Sequence, residues 1–193
     1  MLDLEDLASR VRHVTDGIEE DQLEATTPCE VDVSRLLAHV LGLVVAFRDA
    51  AYKMTGPTTS APPDLASGQL ASDWRQQLPV VLDELVQAWR DPEAWTGDTK
   101  AGGVELPGAA AGAFANSELT LHGWDLAVAT GQPYAPPQAN LEAAWELVAR
   151  TPDDERARAG LFGPVVPVPA DAPLLDRVLG GAGRDPRWAP PAG

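Results

Sequence analysis

The sequence predicts an all-α protein: a four-helix bundle with a long loop before its fourth helix and a short, mostly helical C-terminal appendage. Three observations lead there. Alanine and leucine are plentiful while aromatic residues make up only 6% of the chain, a balance that favours helices over strands. Apolar side chains recur at three- and four-residue spacing through the long segments of the first 131 residues. Proline- and glycine-rich breakers separate those segments.

The first helix spans residues 2 to about 22. Leu4, Leu7, Val11, Val14 and Ile18 form its stripe, and acidic residues crowd the first turn, where the macrodipole favours them. His13 lies one step off the stripe and is expected to face solvent. Thr26 to Glu30 breaks the pattern. Asp32 then serves as N-cap of a second helix, Val33 to about Met54, whose inner side carries Leu36, His39, Val40, Leu43 and Phe47.

Thr55 to Pro63 is a turn-and-loop segment. A third helix is expected from Ser67 to Arg90, kinked or split near Gln77 by Pro79. Residues 92–108 form a long irregular connection with room for a brief strand at Val104–Leu106, and such a loop often borders a site. The fourth helix runs from about Ala109 to Thr130, with Ala110, Phe114, Glu118, Leu121, His122 and Asp125 on one face and Gly131 at its C-terminal cap. A fifth helix follows over Gln138–Arg150, with a turn or two more over Pro152–Arg158. Pro173–Leu179 makes a last short helix, and Gly183–Pro191 closes the chain.

The 193 residues suit one domain, with the bundle over about 2–131 and the appendage over about 132–193, packed on the bundle because so small a segment is marginal alone. With 14 basic against 29 acidic residues the net charge is −15. That excludes nucleic acid and anionic membranes as natural partners, since both need clustered Lys and Arg. A single cysteine excludes an internal disulfide. The acidic start, Met1 to Asp6, is unlike a signal peptide, and no apolar run reaches the roughly 20 residues of a membrane span. A cytoplasmic protein is expected, with a homodimer left open.

The chemistry centres on Asn116-Ser-Glu-Leu-Thr-Leu-His-Gly-Trp-Asp125. Glu118 and His122, four residues apart on a helix, stack on one face and can share a divalent ion. A third ligand must come from elsewhere, and among three histidines His39 is the inward one. A lone inward histidine also serves as a hydrogen-bonded core residue, so the second helix by itself leaves both roles open. Burial argues for a site, because an unpaired inward carboxylate is costly. His39, Glu118 and His122 together suit Zn²⁺ with one exchangeable position; the same ligands serve Ni or Fe. Cys29, just before the second helix, is a competing reactive group, or simply a small buried thiol.

Several segments resemble one family. Thr27-Pro-Cys29, Leu36-Leu-Ala-His-Val40, Glu118-Leu-Thr-Leu-His-Gly-Trp-Asp-Leu-Ala127 and Thr130-Gly-Gln-Pro133 are similar to the DinB and mycothiol-dependent maleylpyruvate isomerase-like metal-binding superfamily, in its actinobacterial-type single-domain branch. Ala88-Trp-Arg-Asp-Pro92, Phe162 to Ala170 and Gly183-Arg-Asp-Pro186 resemble the branch's later segments. The resemblance implies a DinB-like four-helix bundle that binds a divalent metal, commonly zinc, through His39, Glu118 and His122. It also implies a thiol S-transferase or isomerase acting on a small electrophile with a low-molecular-weight thiol, usually mycothiol. The alternatives are a non-catalytic module that binds metal and a small molecule, or a hydrolase or oxygenase on the same ligands. Two departures stand out. Glu30-Val31-Asp32 replaces the branch's usual Gly-Trp pair, and only about sixty residues follow the fourth helix where the isomerase has a further domain.

Overall fold

The computed structural model describes residues 1–190; Pro191, the end of the closing segment, lies outside them. Eight helices and one two-stranded sheet make up the described residues: α1 (Glu5–Asp16), α2 (Val33–Ala51), α3 (Pro57–Ser60), α4 (Trp74–Trp89), α5 (Gly108–Ala129), α6 (Gln138–Arg150), α7 (Glu155–Arg158) and α8 (Leu174–Gly181), with β1 (Asp98–Ala101) and β2 (Val104–Pro107) between α4 and α5. α2 packs on α4 and α5, and α1 packs on the same two helices, which closes a ring of contacts. Inside it lie Leu7, Val11 and Val14 of α1, Leu36, Leu37 and Val44 of α2, Leu78, Leu82 and Leu85 of α4, and Ala115, Leu119 and Leu126 of α5.

Helix ends follow local chemistry. Asp32 caps α2 as the sequence indicates, its carboxylate accepting from the Arg35 N–H at 2.8 Å. α5 ends in a Schellman motif: Gly131 takes φ +69°, and the Gln132 N–H donates to the Ala127 carbonyl at 2.8 Å. α1 stops at Gly17, short of the expected residue 22, and a separate 3₁₀ turn covers Glu20–Gln22. Even so, the expected stripe of Leu4, Leu7, Val11, Val14 and Ile18 is buried, and His13 is exposed.

Three expectations are corrected. α4 starts at Trp74 rather than Ser67, because Ala66 and Ser67 are held in turns by the Asp64 carboxylate. It runs unbroken through Pro79, which lies in its second turn and so deletes a single hydrogen bond. The connection over 92–108 is ordered: a 3₁₀ turn at Pro92–Trp95 leads into the hairpin, with Ala101 opposite Val104. Gly102 and Gly103, at φ +58° and +86°, supply the two positive φ values that a tight hairpin turn needs.

α5 is less one-sided than its sequence suggests. Every residue from Ala115 to Ala127 is buried except Glu118. It is enclosed by α1 and α2 on the bundle side and by α6 on the other, as expected of a helix apolar all round. α6 and α8 build a second core on its outer face, where Leu121 and Trp124 meet Ala144, Val148, Val178 and Leu179. Tyr134 and Trp188 touch both cores. No helix among the described residues is long and apolar enough to cross a membrane.

Candidate metal centre

α2 and α5 bring His39, Glu118 and His122 together. One potential ligand atom from each lies within 4.8 Å of the other two. Between His122 Nε2 and Glu118 Oε2 the distance is 3.0 Å, the one-turn stacking expected from their spacing. The rings of His39 and His122 meet edge to face with centroids 5.2 Å apart.

Each imidazole is oriented from behind. His39 Nδ1 donates to the carbonyl of Pro63 at 3.1 Å, an acceptor fixed by the stiff Pro62-Pro63 pair. His122 Nδ1 donates to Asp125 Oδ2 at 2.9 Å. Nε2 therefore remains on His39 for a ligand, and on His122 it is the nitrogen already turned toward Glu118. Two nitrogens and one carboxylate oxygen with their rings held this way fit a divalent ion.

Asp125 is the buried hub. Its Oδ2 accepts from His122 Nδ1, from the Cys29 thiol at 3.2 Å and from Arg184 Nη2 at 2.9 Å, while Oδ1 accepts from Arg184 Nε at 3.2 Å. Arg184 arrives from the far end of the chain through the end of α8. There Gly183, at φ +89°, and the Arg184 N–H donating to the Leu179 carbonyl at 2.8 Å complete a second Schellman motif. Cys29 is placed by a tight loop: Thr27 donates both its backbone N–H and its hydroxyl to the Val31 carbonyl, and Glu30 takes φ +61°. The departure from the branch at Glu30-Val31-Asp32 thus falls in the turn that carries the thiol.

The ionisation pattern follows from these contacts. Burial, reinforced by the nearby His122 cation, lowers His39 to about 4. Burial opposes charge on His122 too, but its bonds to Asp125, Cys29 and Glu118 outweigh that and raise it well above an ordinary histidine. Burial would raise Glu118; the hydrogen bond from His122 and the charges of His122, His39 and Arg184 pull it down instead. Asp125 is likewise drawn far below the carboxylate range, against its burial, chiefly by the charge of Arg184. In the metal-free protein a proton on His122 bridges the two groups that a cation would otherwise join.

The sequence pattern missed Asp125 and Arg184 as parts of the site. Asp125 had a signal: three residues after His122, it stands within reach of Nδ1 on the same helix. Gly123 in that motif also has a purpose, since an added Cβ would strike the hydroxyl of Tyr134, which crosses α5 to donate to the Leu119 carbonyl at 2.9 Å. Arg184 had no signal in spacing or periodicity; only the resemblance of Gly183-Arg-Asp-Pro186 to the branch's later segments singled out its stretch.

The profile of the mycothiol maleylpyruvate isomerase N-terminal domain family matches residues 4–127. The chain belongs to this family. Within this member of the mycothiol maleylpyruvate isomerase N-terminal domain family, the matched region takes in His39, Glu118, His122 and Asp125, while Arg184 lies beyond it. Two solved structures are similar in fold. One is a histidine-to-alanine mutant of the mycothiol-dependent maleylpyruvate isomerase, with a TM-score of 0.67 at 18% identity, and the other is the isomerase itself, at 0.62 and 17%. Each likeness covers 95% of this chain and 90% of that chain, so it takes in the C-terminal segment as well as the bundle. No curated protein matches the chain.

Proposed function

We propose that this family member is a zinc-dependent thiol transferase or isomerase of the cytoplasm. In it His39, Glu118 and His122 hold the ion, and a low-molecular-weight thiol such as mycothiol adds to a small electrophile. The observation that carries this is the fixing of both imidazoles through Nδ1, by the Pro63 carbonyl and the Asp125 carboxylate, with Glu118 beside them. The choice of thiol is supported by the family and by the two isomerase structures of similar fold.

When bound, a divalent ion at these residues supplies a Lewis acid that lowers the pKa of a thiol brought to it. The chain's own residues set the conditions for that chemistry. Asp125, kept ionised by Arg184, accepts from Nδ1 and so leaves Nε2 of His122 as the basic nitrogen once the proton there has gone. Pro63 fixes His39 in the matching tautomer. His122 is buried in α5, whereas Glu118, whose side chain keeps 27% of its surface exposed, and the half-buried His39 mark the approach. In the addition the sulfur–carbon bond forms and the thiol hydrogen ends on the neighbouring carbon; isomerisation reverses the same bond after rotation.

Metal-loaded protein with mycothiol and either maleylpyruvate or monobromobimane tests this. Thiol-dependent turnover that Glu118→Ala removes, with the fold retained, is the expected result. No turnover with any thiol would contradict it and leave a non-catalytic module that binds metal and a small molecule.

A further inference from the structure

Gly42 lies in the interior of α2, in an ordinary helical conformation, where alanine would make the stronger helix. Space, not backbone freedom, explains it. A Cβ at this position would stand 2.8 Å from Pro63 Cβ and 3.0 Å from Pro63 Cγ, about 1 Å inside the usual carbon–carbon contact. Pro63 belongs to the irregular segment between α3 and α4, which Asp64 holds in turns at Ala66 and Ser67. That segment runs over α2 at two small residues a turn apart, Gly42 beneath Pro63 and Ala38 beside Gly68. His39 follows Ala38, and its Nδ1 donates to the Pro63 carbonyl at 3.1 Å. His122 is held differently, by Asp125 on its own helix, so helix geometry alone sets that bond. For His39 the acceptor is 24 residues away, and the bond depends on how closely the segment packs on α2.

The structure assigns Gly42 the role of a positioning residue: by carrying no side chain it seats Pro63 against α2, and so fixes which nitrogen of His39 is left for a metal ion. This rests on the metal centre proposed above and not on the thiol chemistry. A neutral imidazole keeps its hydrogen on the nitrogen whose partner accepts it. With the Pro63 carbonyl in reach, that nitrogen is Nδ1, and Nε2 keeps its lone pair for the ion. A methyl group at residue 42 pushes the segment outward. A shift of about 0.5 Å already takes the carbonyl past hydrogen-bond distance. The hydrogen is then free to move to Nε2, where it blocks coordination.

The test compares the full chain as wild type, Gly42→Ala, Pro63→Gly and the double variant, by two measurements. Pro63→Gly keeps the carbonyl and removes the Cβ and ring that a side chain at residue 42 would strike. Zinc affinity, from competition with a chromophoric chelator, is expected to fall about tenfold or more in Gly42→Ala, the cost of disturbing a group behind a ligand. In the Pro63→Gly background the same substitution is expected to cost nothing, because the clash has gone. Should Gly42→Ala alone fail to fold, the double variant beside Pro63→Gly decides: equal affinity supports the role and weaker affinity overturns it. Imidazole proton–nitrogen NMR correlation on the metal-free proteins near neutral pH is the second measurement. It is expected to show the His39 hydrogen on Nδ1 in the wild type and displaced toward Nε2 in Gly42→Ala, with His122 unchanged. A wild-type hydrogen on Nε2, a tautomer or zinc affinity unchanged by Gly42→Ala, or losses that add in the double variant would overturn the role of Gly42. A wild type that binds no zinc yet shows the tautomer shift removes the metal centre and keeps Gly42 as the residue that sets the tautomer.

Discussion

Asp125 Oδ2 lies 2.9 Å from His122 Nδ1, and the same oxygen receives Arg184 Nη2 at 2.9 Å. One buried carboxylate thus joins a candidate ligand on α5 to an arginine 59 residues further along the chain. Through it the C-terminal segment reaches the centre that the bundle builds.

Asp125→Asn keeps the shape of the hub and removes its charge. Metal affinity is expected to fall about 10- to 100-fold, the usual cost of losing a carboxylate behind a ligating histidine. Competition with a chromophoric chelator measures this, with far-UV circular dichroism as the check on folding. Unchanged affinity would mean that Asp125 does not position His122.

Arg184→Ala leaves a fully buried carboxylate short of its main cation. The expected loss is about 3–5 kcal/mol of unfolding free energy, read from denaturant titration. Asp125→Asn in the same background should recover part of it, since the two act as one network. Equal and additive losses would show the pair to be uncoupled.

Metal binding should release protons with a definite sign. His122 is raised well above the ordinary histidine value and so carries its proton at pH 7, whereas His39, at about 4, is already neutral and Glu118 already ionised. A cation therefore displaces about one proton at pH 7, and affinity rises with pH until His122 itself titrates. Calorimetry in buffers of different ionisation enthalpy counts that proton. A count of zero contradicts the ionisation pattern.

Much of the fold was legible because its signals are local. Asp32 caps α2 and Gly131 ends α5 through contacts with residues close by in sequence. Glu118 and His122 stack because helix geometry alone places them so. What stayed hidden depends on distant partners. β1 has no apolar alternation of its own and exists by pairing with β2, although Gly102-Gly103 marked the turn. Pro79 looked like a break because its distance from the true start of α4 was not visible. Arg184 lies in a segment that resembles the family, yet nothing local ties it to the site until α8 and its glycine turn carry it to Asp125. Cys29 needed the same hub to acquire a neighbour.

The most direct measurement is the zinc stoichiometry and affinity of the wild type beside His39→Ala, Glu118→Ala, His122→Ala and His13→Ala. One equivalent bound by the wild type is expected, with most of the affinity lost in each of the first three variants. His13→Ala, altering an exposed residue of α1, should bind like the wild type. Equal binding by all five proteins, or none by a zinc-reconstituted wild type, would contradict a metal centre at His39, Glu118 and His122.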